Sequence, residues 1–116
     1  VVDDVAEQRD IARKMLSRLG YGVATAASGE EAVAHLKDLR VDLVVLDMIM
    51  PPGMDGLETY RRIIAKHPGQ RAVIASGFSE NERVAALQRL GAGEYLRKPY
   101  TLEKIGLAVR RELDRP

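Results

Sequence analysis

The feature that most limits the fold of this chain is an alternation, repeated about five times, of short apolar β-branched runs with helical patterns. Strands and helices that alternate with short connections predict a parallel sheet with helices on both faces. Residues 41–46, VDLVVL, are almost continuously apolar, as expected for a strand that is covered on both sides. A chain of 116 residues suits a single domain, which we expect to span 1–116.

Each strand and helix can be placed approximately along the chain. The predicted strands are 1–2 (a strand end that looks cut short), 21–27, 41–46, 71–75 and 94–96, and the predicted helices are about 7–19, 28–39, 55–66, 79–90 and 101–113. Ser28 with Glu31, and Ser79 with Glu82, have the spacing of capping boxes, and Asp55 can cap the third helix.

Composition excludes several classes of function. Lys and Arg total 18 and Asp and Glu total 17, so no overall charge favours nucleic acid or membrane. The absence of cysteine excludes disulfides, thiolate nucleophiles and cysteine-based zinc sites. Every apolar run is far shorter than the roughly 20 residues that cross a bilayer, and no signal-peptide pattern is visible. We therefore expect a soluble, cytoplasmic domain.

Polar side chains follow four of the five predicted strands. Asp3 and Asp4 follow the first, Asp47 the third, Ser76 the fourth and Lys98 the fifth. Each has an ordinary explanation as a helix cap, a turn residue or a solvated lysine, except Asp47, which ends a buried strand. In open parallel sheets, ligands bind beyond the carboxyl ends of the strands, so we expect these groups to converge.

Such a cluster needs positive charge. Two carboxylates 4 Å apart repel by about 4 kcal/mol at an effective dielectric of 20, and the lysine supplies one cation. A divalent ion with oxygen ligands and several waters would supply the rest, which favours Mg²⁺. Carboxylates, metal, lysine and hydroxyl together suit phosphoryl transfer, in which an Asp can form an aspartyl phosphate. No nucleotide-binding loop is present.

The motifs VVDD, DLVVLDMIMP, MDG, IASG and YLRKP occur in that order, and together they make the chain resemble the receiver domain of two-component response regulators over its whole length. The resemblance implies phosphorelay signal transduction. It also implies a flavodoxin-like fold of five parallel strands in the order 2-1-3-4-5, with five helices.

The resemblance further implies roles for the acidic residues. Asp47 would accept a phosphoryl group from a phosphohistidine. Asp4, Asp47 and the backbone carbonyl of Ile49 would bind Mg²⁺ directly, Asp3 would act mainly through water, and Mn²⁺ could replace Mg²⁺.

Three other residues would respond to the phosphoryl group. Lys98 would pair with Asp47 before phosphorylation and with the phosphoryl oxygens afterwards. Ser76 is the expected switch hydroxyl and Tyr95 the aromatic switch residue. The peptide bond from Lys98 to Pro99 would be cis.

Two features depart from the common pattern. The loop carries one extra residue, Pro52, beyond the metal-binding positions. Ile49 and Phe78, two residues after Asp47 and Ser76, flank the expected route of the hydrolytic water, and both are apolar. We therefore expect slow autodephosphorylation. Apart from this and its own phosphorylation, we expect no enzyme activity from the domain.

The resemblance also implies partners. We expect a histidine kinase or histidine phosphotransfer domain to dock on the first helix and the loops around Asp47. The output surface would involve the fourth helix, fifth strand and fifth helix, and a homodimer is left open. No segment suggests contact with nucleic acid or membrane. The longer loop favours the receiver of a hybrid sensor histidine kinase, with stand-alone and effector-linked receivers as alternatives.

Two other classes are weaker alternatives. A haloacid-dehalogenase-like phosphatase also uses an Asp nucleophile and Mg²⁺, but its D-x-D motif follows the first strand. In this chain the two aspartates after the first strand, Asp3 and Asp4, are adjacent, and the single Asp47 follows the third strand. A flavodoxin-like cofactor domain needs a phosphate-binding loop after the first strand, where this chain has VVDDVAEQ.

Overall fold

A computed structural model describes residues 1–48, 55–77 and 82–115. The helices are α1 (Ala6–Arg18), α2 (Gly29–His35), α3 (Gly56–Lys66), α4 (Glu82–Arg89) and α5 (Leu102–Asp114), and the strands are β1 (Val44–Asp47), β2 (Ala72–Ser76) and β3 (Tyr95–Arg97). The three strands are parallel and lie in the order β1-β2-β3, with Asp47 opposite Ala75 and Ser76 opposite Arg97.

The two other predicted strands are present only as isolated bridges. Val2 bridges in parallel to Leu46 on one side and to Ala26 on the other. With β1, β2 and β3 these bridges reproduce the predicted order 2-1-3-4-5. The prediction that all of 21–27 forms a strand is wrong, because the ladder there is limited to the part that lies beside Val1 and Asp3.

The helices cover both faces of the sheet, as predicted. Successive residues of β1 point to opposite faces, so Leu46 belongs to one core and Val45 to the other. The first core also contains Ile63 of α3 and Leu87 of α4. The second contains Ile105 of α5, as well as residues of α1. Burial on both sides therefore explains the apolar residues 44–46, whereas the predicted start of this strand at 41 is wrong, because 41–43 lie outside β1 and Asp42 is exposed.

Side-chain caps from Ser28, Asp55 and Thr101 fix the starts of α2, α3 and α5. Ser28 Oγ accepts a hydrogen bond from the Glu31 backbone N–H (3.0 Å), which confirms the predicted cap. The return bond to the Glu31 carboxylate comes from the Ala27 N–H (3.2 Å), one residue before the position of a capping box. Asp55 caps α3 as predicted, with a 2.9 Å bond from the Glu58 N–H. The second capping box begins at Ser79, which lies outside the described residues.

The apolar spacing of the helical patterns predicts Ile11, Leu19, Leu39 and Leu90 as inward positions, but these residues are exposed. Helix α2 ends at His35, so Leu39 lies beyond it and is 48% exposed. Ile11 and Leu19, expected on the inner face of α1, are also exposed, and so is Leu90 after α4. The small contact face of α1 explains the error there, since its buried residues are Ala12 and Leu16.

Candidate functional site

Asp47 is the last residue of β1 and is buried, with 8% of its surface exposed. Its backbone N–H donates to the Val2 carbonyl (3.0 Å), which fixes the residue beside the start of the chain. The start of α3 lies against the same backbone. A Cβ on Gly56 would come 2.6 Å from the Asp47 carbonyl oxygen, and the Gly56 N–H donates to the Met48 carbonyl (2.9 Å). Gly56 thus allows α3 to begin directly against the acceptor strand.

The acidic pair after the first strand segment divides into two environments. Asp3 is buried, and its Oδ1 accepts a hydrogen bond from the Val5 N–H (3.0 Å). Its Oδ2 lies 2.6 Å from Lys98 Nζ. Asp4 is exposed, and its carboxylate makes no hydrogen bond or ion pair within 1–48, 55–77 and 82–115. Asp4 is therefore the more available ligand of the two.

Lys98 joins the acidic residues. Its Nζ lies 2.6 Å from Asp3 and 3.2 Å from Asp47, while its side chain is only 15% exposed. Its backbone N–H donates to the Ser76 carbonyl (2.7 Å), which ties the end of β3 to the end of β2. The Lys98–Pro99 peptide bond is cis, as predicted. The expected pairing of Lys98 with Asp47 is confirmed, and the shorter contact to Asp3 was not anticipated.

The pKa values of Asp47 and Lys98 are both raised, the first mainly by burial and the second by the neighbouring carboxylates. Burial raises the pKa of Asp47 to about 6, the lysine opposes the shift, and the neighbouring Asp3 and Asp4 add to it. Burial also acts to lower the pKa of Lys98, but the hydrogen bond and charge of Asp3, with the charge of Asp47, outweigh it and leave that pKa raised. The acidic cluster thus favours further positive charge.

The arrangement suits a hard cation. One carboxylate oxygen from each of Asp3, Asp4 and Asp47 lies within 4.8 Å of the others. Oxygen ligands of this kind favour Mg²⁺ over softer metals. Both oxygens of Asp3 already have partners, which agrees with its expected action through water. The predicted ligand Ile49 and the predicted water-access pair, Ile49 and Phe78, lie outside the described residues, as does Pro52.

The two predicted switch residues occupy neighbouring strands. Ser76 is buried at the end of β2, one residue beyond the partner of Asp47 in the ladder. Tyr95 begins β3 and is partly buried against the core shared with α3 and α4. The structure therefore brings Asp3, Asp4, Asp47 and Lys98 together, with Ser76 on the adjacent strand end, and sets Tyr95 further back along β3.

Two residues of the site were not found from the sequence. Arg9 of α1 donates a 2.8 Å hydrogen bond to the Asp3 carbonyl. Tyr100 is partly buried and packs against the core that contains Ile105 of α5; burial raises its pKa, and Lys98 opposes that rise. Neither carries a motif that distinguishes it, since an arginine on an amphipathic helix and a tyrosine after a proline are common surface and core residues.

None of the helices within the described residues has the length and apolar character needed to cross a lipid bilayer.

Comparison with known proteins gives a consistent result. The model of the response regulator receiver domain family matches residues 1–110. Response regulator MprA of Mycobacterium sp. strain KMS is 40% identical over 116 residues, which are 99% of this chain and 50% of MprA. Sporulation initiation phosphotransferase F of Bacillus subtilis is 32% identical over 113 residues, which are 97% of this chain and 90% of that protein.

A solved structure agrees with the fold. The chain matches a crystal structure of the CheX–CheY–BeF3–Mg²⁺ complex from Borrelia burgdorferi with a TM-score of 0.88 and 28% identity, covering 95% of this chain and 84% of that one. The predicted flavodoxin-like fold is thereby confirmed. The chain spans about half the length of MprA but nearly all of phosphotransferase F.

Proposed function

Because the chain belongs to the response regulator receiver domain family and thus to phosphorelay signalling, we propose that Asp47 is its phosphoryl acceptor. The observation that carries the proposal is the position of Asp47. It is a buried carboxylate at the end of a central strand, 3.2 Å from Lys98 and within 4.8 Å of two further carboxylates. A helix cap or a surface ion pair needs no such convergence.

The proposed reaction is a transfer from phosphohistidine. An Asp47 oxygen attacks the phosphorus atom, a P–O bond forms, and the P–N bond breaks with its electron pair going to the imidazole nitrogen. Lys98 moves its charge from the carboxylate to the phosphoryl oxygens, so the positive charge is already in place when the new dianion forms. The raised pKa of Asp47, about 6, still leaves the attacking carboxylate mostly ionised at neutral pH.

We propose Mg²⁺ as the cofactor, with Mn²⁺ as a substitute. Asp4, Asp47 and the Ile49 carbonyl would hold it directly, and Asp3 would hold it through water. Bound Mg²⁺ would neutralise phosphoryl oxygens. Two features support this: the three clustered carboxylates, and the presence of Mg²⁺ in the solved complex of the related Borrelia protein.

The consequence of phosphorylation would be a shift between two conformations. The buried hydroxyl of Ser76 would move to the phosphoryl group, and Tyr95 would follow it inward. Reversing a 1:99 population needs about 5.5 kcal/mol of differential stabilisation, which several charge-assisted hydrogen bonds to a dianion can provide. The apolar Ile49 and Phe78 would slow hydrolysis. Replacing both with polar residues should accelerate phosphoryl loss, and an unchanged rate would contradict their proposed role.

The physiological context is a further proposal. A histidine kinase or phosphotransfer domain would dock on α1 and the loops around Asp47, and output would use α4, β3 and α5. We favour the receiver of a hybrid histidine kinase because of the longer loop at Pro52. A histidine kinase core in the same open reading frame would support this assignment, and an independent open reading frame would exclude it.

Acetyl phosphate with Mg²⁺ tests the proposed function against the other classes. Stable addition of one phosphoryl group to the wild type, absent from Asp47→Asn and from samples with EDTA, is the expected result. Continuous release of phosphate over many turnovers would instead indicate a phosphatase. Co-purification of a yellow flavin would indicate a cofactor-binding domain.

A further inference from the structure

The connection between the first strand segment and α1 is held by three contacts. The Asp3 carboxylate accepts from the Val5 N–H (3.0 Å) and from Lys98 (2.6 Å), and the Asp3 carbonyl accepts from Arg9 Nη1 (2.8 Å). Asp4 lies between these contacts and makes none of its own with the part of the chain that the structure describes. Its orientation is therefore set by its neighbours.

The position of Arg9 is unusual for a cation. Helix α1 begins at Ala6, and its N-cap, Val5, offers no side-chain cap. The guanidinium of Arg9 nevertheless extends back past this end of the helix to the Asp3 carbonyl, and the side chain is partly buried. Positive charge near a helix N-terminus is unfavourable. The hydrogen bond to the Asp3 carbonyl thus holds a positive charge at a place where the helix alone disfavours one.

The two backbone contacts bracket Asp4. The bond from Arg9 fixes the carbonyl of the peptide that precedes Asp4, and the bond from the Val5 N–H to Asp3 fixes the peptide that follows it. With both peptide planes held, the direction of the Asp4 Cα–Cβ bond is held as well. The exposed Asp4 carboxylate is thus kept within 4.8 Å of those of Asp3 and Asp47 without a contact of its own.

We infer that Arg9 is a positioning residue, whose hydrogen bond to the Asp3 carbonyl directs the Asp4 carboxylate into the acidic cluster. This inference rests on the proposed function, because it concerns the same metal-binding carboxylates. For a variant without Arg9, this positioning role predicts a change in Mg²⁺ affinity opposite to the change that the loss of charge alone predicts. Removing a nearby cation should tighten Mg²⁺ binding, whereas releasing Asp4 should weaken it. The sign of the change therefore separates the two effects.

The test is a titration of ¹⁵N-labelled protein with MgCl2, followed by amide NMR. Arg9→Met removes both charge and hydrogen bond, and we expect it to weaken Mg²⁺ binding by about tenfold, as is typical for residues that orient metal ligands. Arg9→Lys keeps the charge and a donor, and it should restore most of the affinity. Arg13→Met, on the same helix, is the matched control. Its arginine is exposed and pairs with Asp10 (2.6 Å), so the affinity should not fall.

A second readout needs no metal. In the metal-free protein, Arg9→Met should shift the amide signals of Asp4 and Val5, and Arg13→Met should not. If Arg9→Met does not fold, Arg9→Gln takes its place, since its side chain carries no charge and ends two atoms short of the position of Arg9 Nη1.

Mg²⁺ binding by Arg9→Met that equals or exceeds that of the wild type would overturn the inference alone. A wild type that binds no Mg²⁺ would overturn it together with the proposed metal site.

Discussion

Replacement of Asp47 by Asn should stabilise the domain, because the native carboxylate is held in an unfavourable environment. Burial is the largest cause of its raised pKa, and Asp3 and Asp4 add to the effect. The side chain is only 11% exposed, so water provides little compensation. Asn has nearly the same shape and no charge. Lys98 should retain a partner in the variant, because its shorter contact, 2.6 Å, is to Asp3.

The size of the effect follows from the pKa of Asp47, which rises from 3.8 to about 6 on folding. At low pH the carboxyl is protonated in both states, and no penalty applies. As the pH rises, the unfolded state ionises first, so the penalty grows up to the folded pKa and is constant above it. The shift corresponds to about 3 kcal/mol at pH 8 and about 1 kcal/mol at pH 4.5.

Urea denaturation followed by circular dichroism at these two pH values measures the difference directly. The free energy of unfolding of Asp47→Asn should exceed that of the wild type by about 3 kcal/mol at pH 8 and by about 1 kcal/mol at pH 4.5. Asp38→Asn is the control, because Asp38 is exposed. It should change the free energy of unfolding little at either pH. A wild type as stable as Asp47→Asn at pH 8 would show that the buried charge of Asp47 costs no stability. A difference in unfolding free energy that does not change with pH would show the same.

Three further predictions concern the same domain. Gly56→Ala should lower the free energy of unfolding by about 1–3 kcal/mol, because the new Cβ would meet the backbone of Asp47. Gly22→Ala is the control, since a Cβ there meets nothing within 4 Å beyond its chain neighbours, and it should change the free energy by less than about 0.5 kcal/mol in the same urea assay. Gly93→Ala should also destabilise the protein by about 1–3 kcal/mol, since the new Cβ would overlap the buried Glu112 carboxylate; a thermal melt equal to that of the wild type would contradict this. Mg²⁺ at ten times its dissociation constant should raise the unfolding free energy of the wild type by about 1.4 kcal/mol and that of Asp47→Asn by less, as calorimetry can measure.

The order of strands and helices was predictable because a strand buried on both faces has a continuous run of apolar residues. The apolar residues 44–46 are typical of a strand covered on both sides, and the end of this strand at Asp47 marks the edge where the other polar strand ends meet. Local signals were also sufficient for the caps at Ser28 and Asp55, since each cap bonds a backbone N–H three residues away.

Longer-range features were not predictable from local pattern. The extent of the strand at 21–27 depends on pairing with Val2, which is distant in sequence. Leu39 lies outside the predicted helix because α2 ends at His35. The role of Arg9 depends on the fold returning its side chain to the Asp3 carbonyl. The role of Gly56 depends on how closely α3 approaches β1. Such contacts are defined by tertiary packing and leave no periodic signal.

The most direct test of the central claim is to locate the phosphoryl group. Protein treated with acetyl phosphate and Mg²⁺ is reduced with borohydride, which converts an aspartyl phosphate to homoserine, and the peptides are then sequenced by mass spectrometry. We expect homoserine at position 47 in the wild type and none in Asp47→Asn or in samples with EDTA. Homoserine at another aspartate, or unmodified Asp47 in protein that has gained a phosphoryl group, would contradict it.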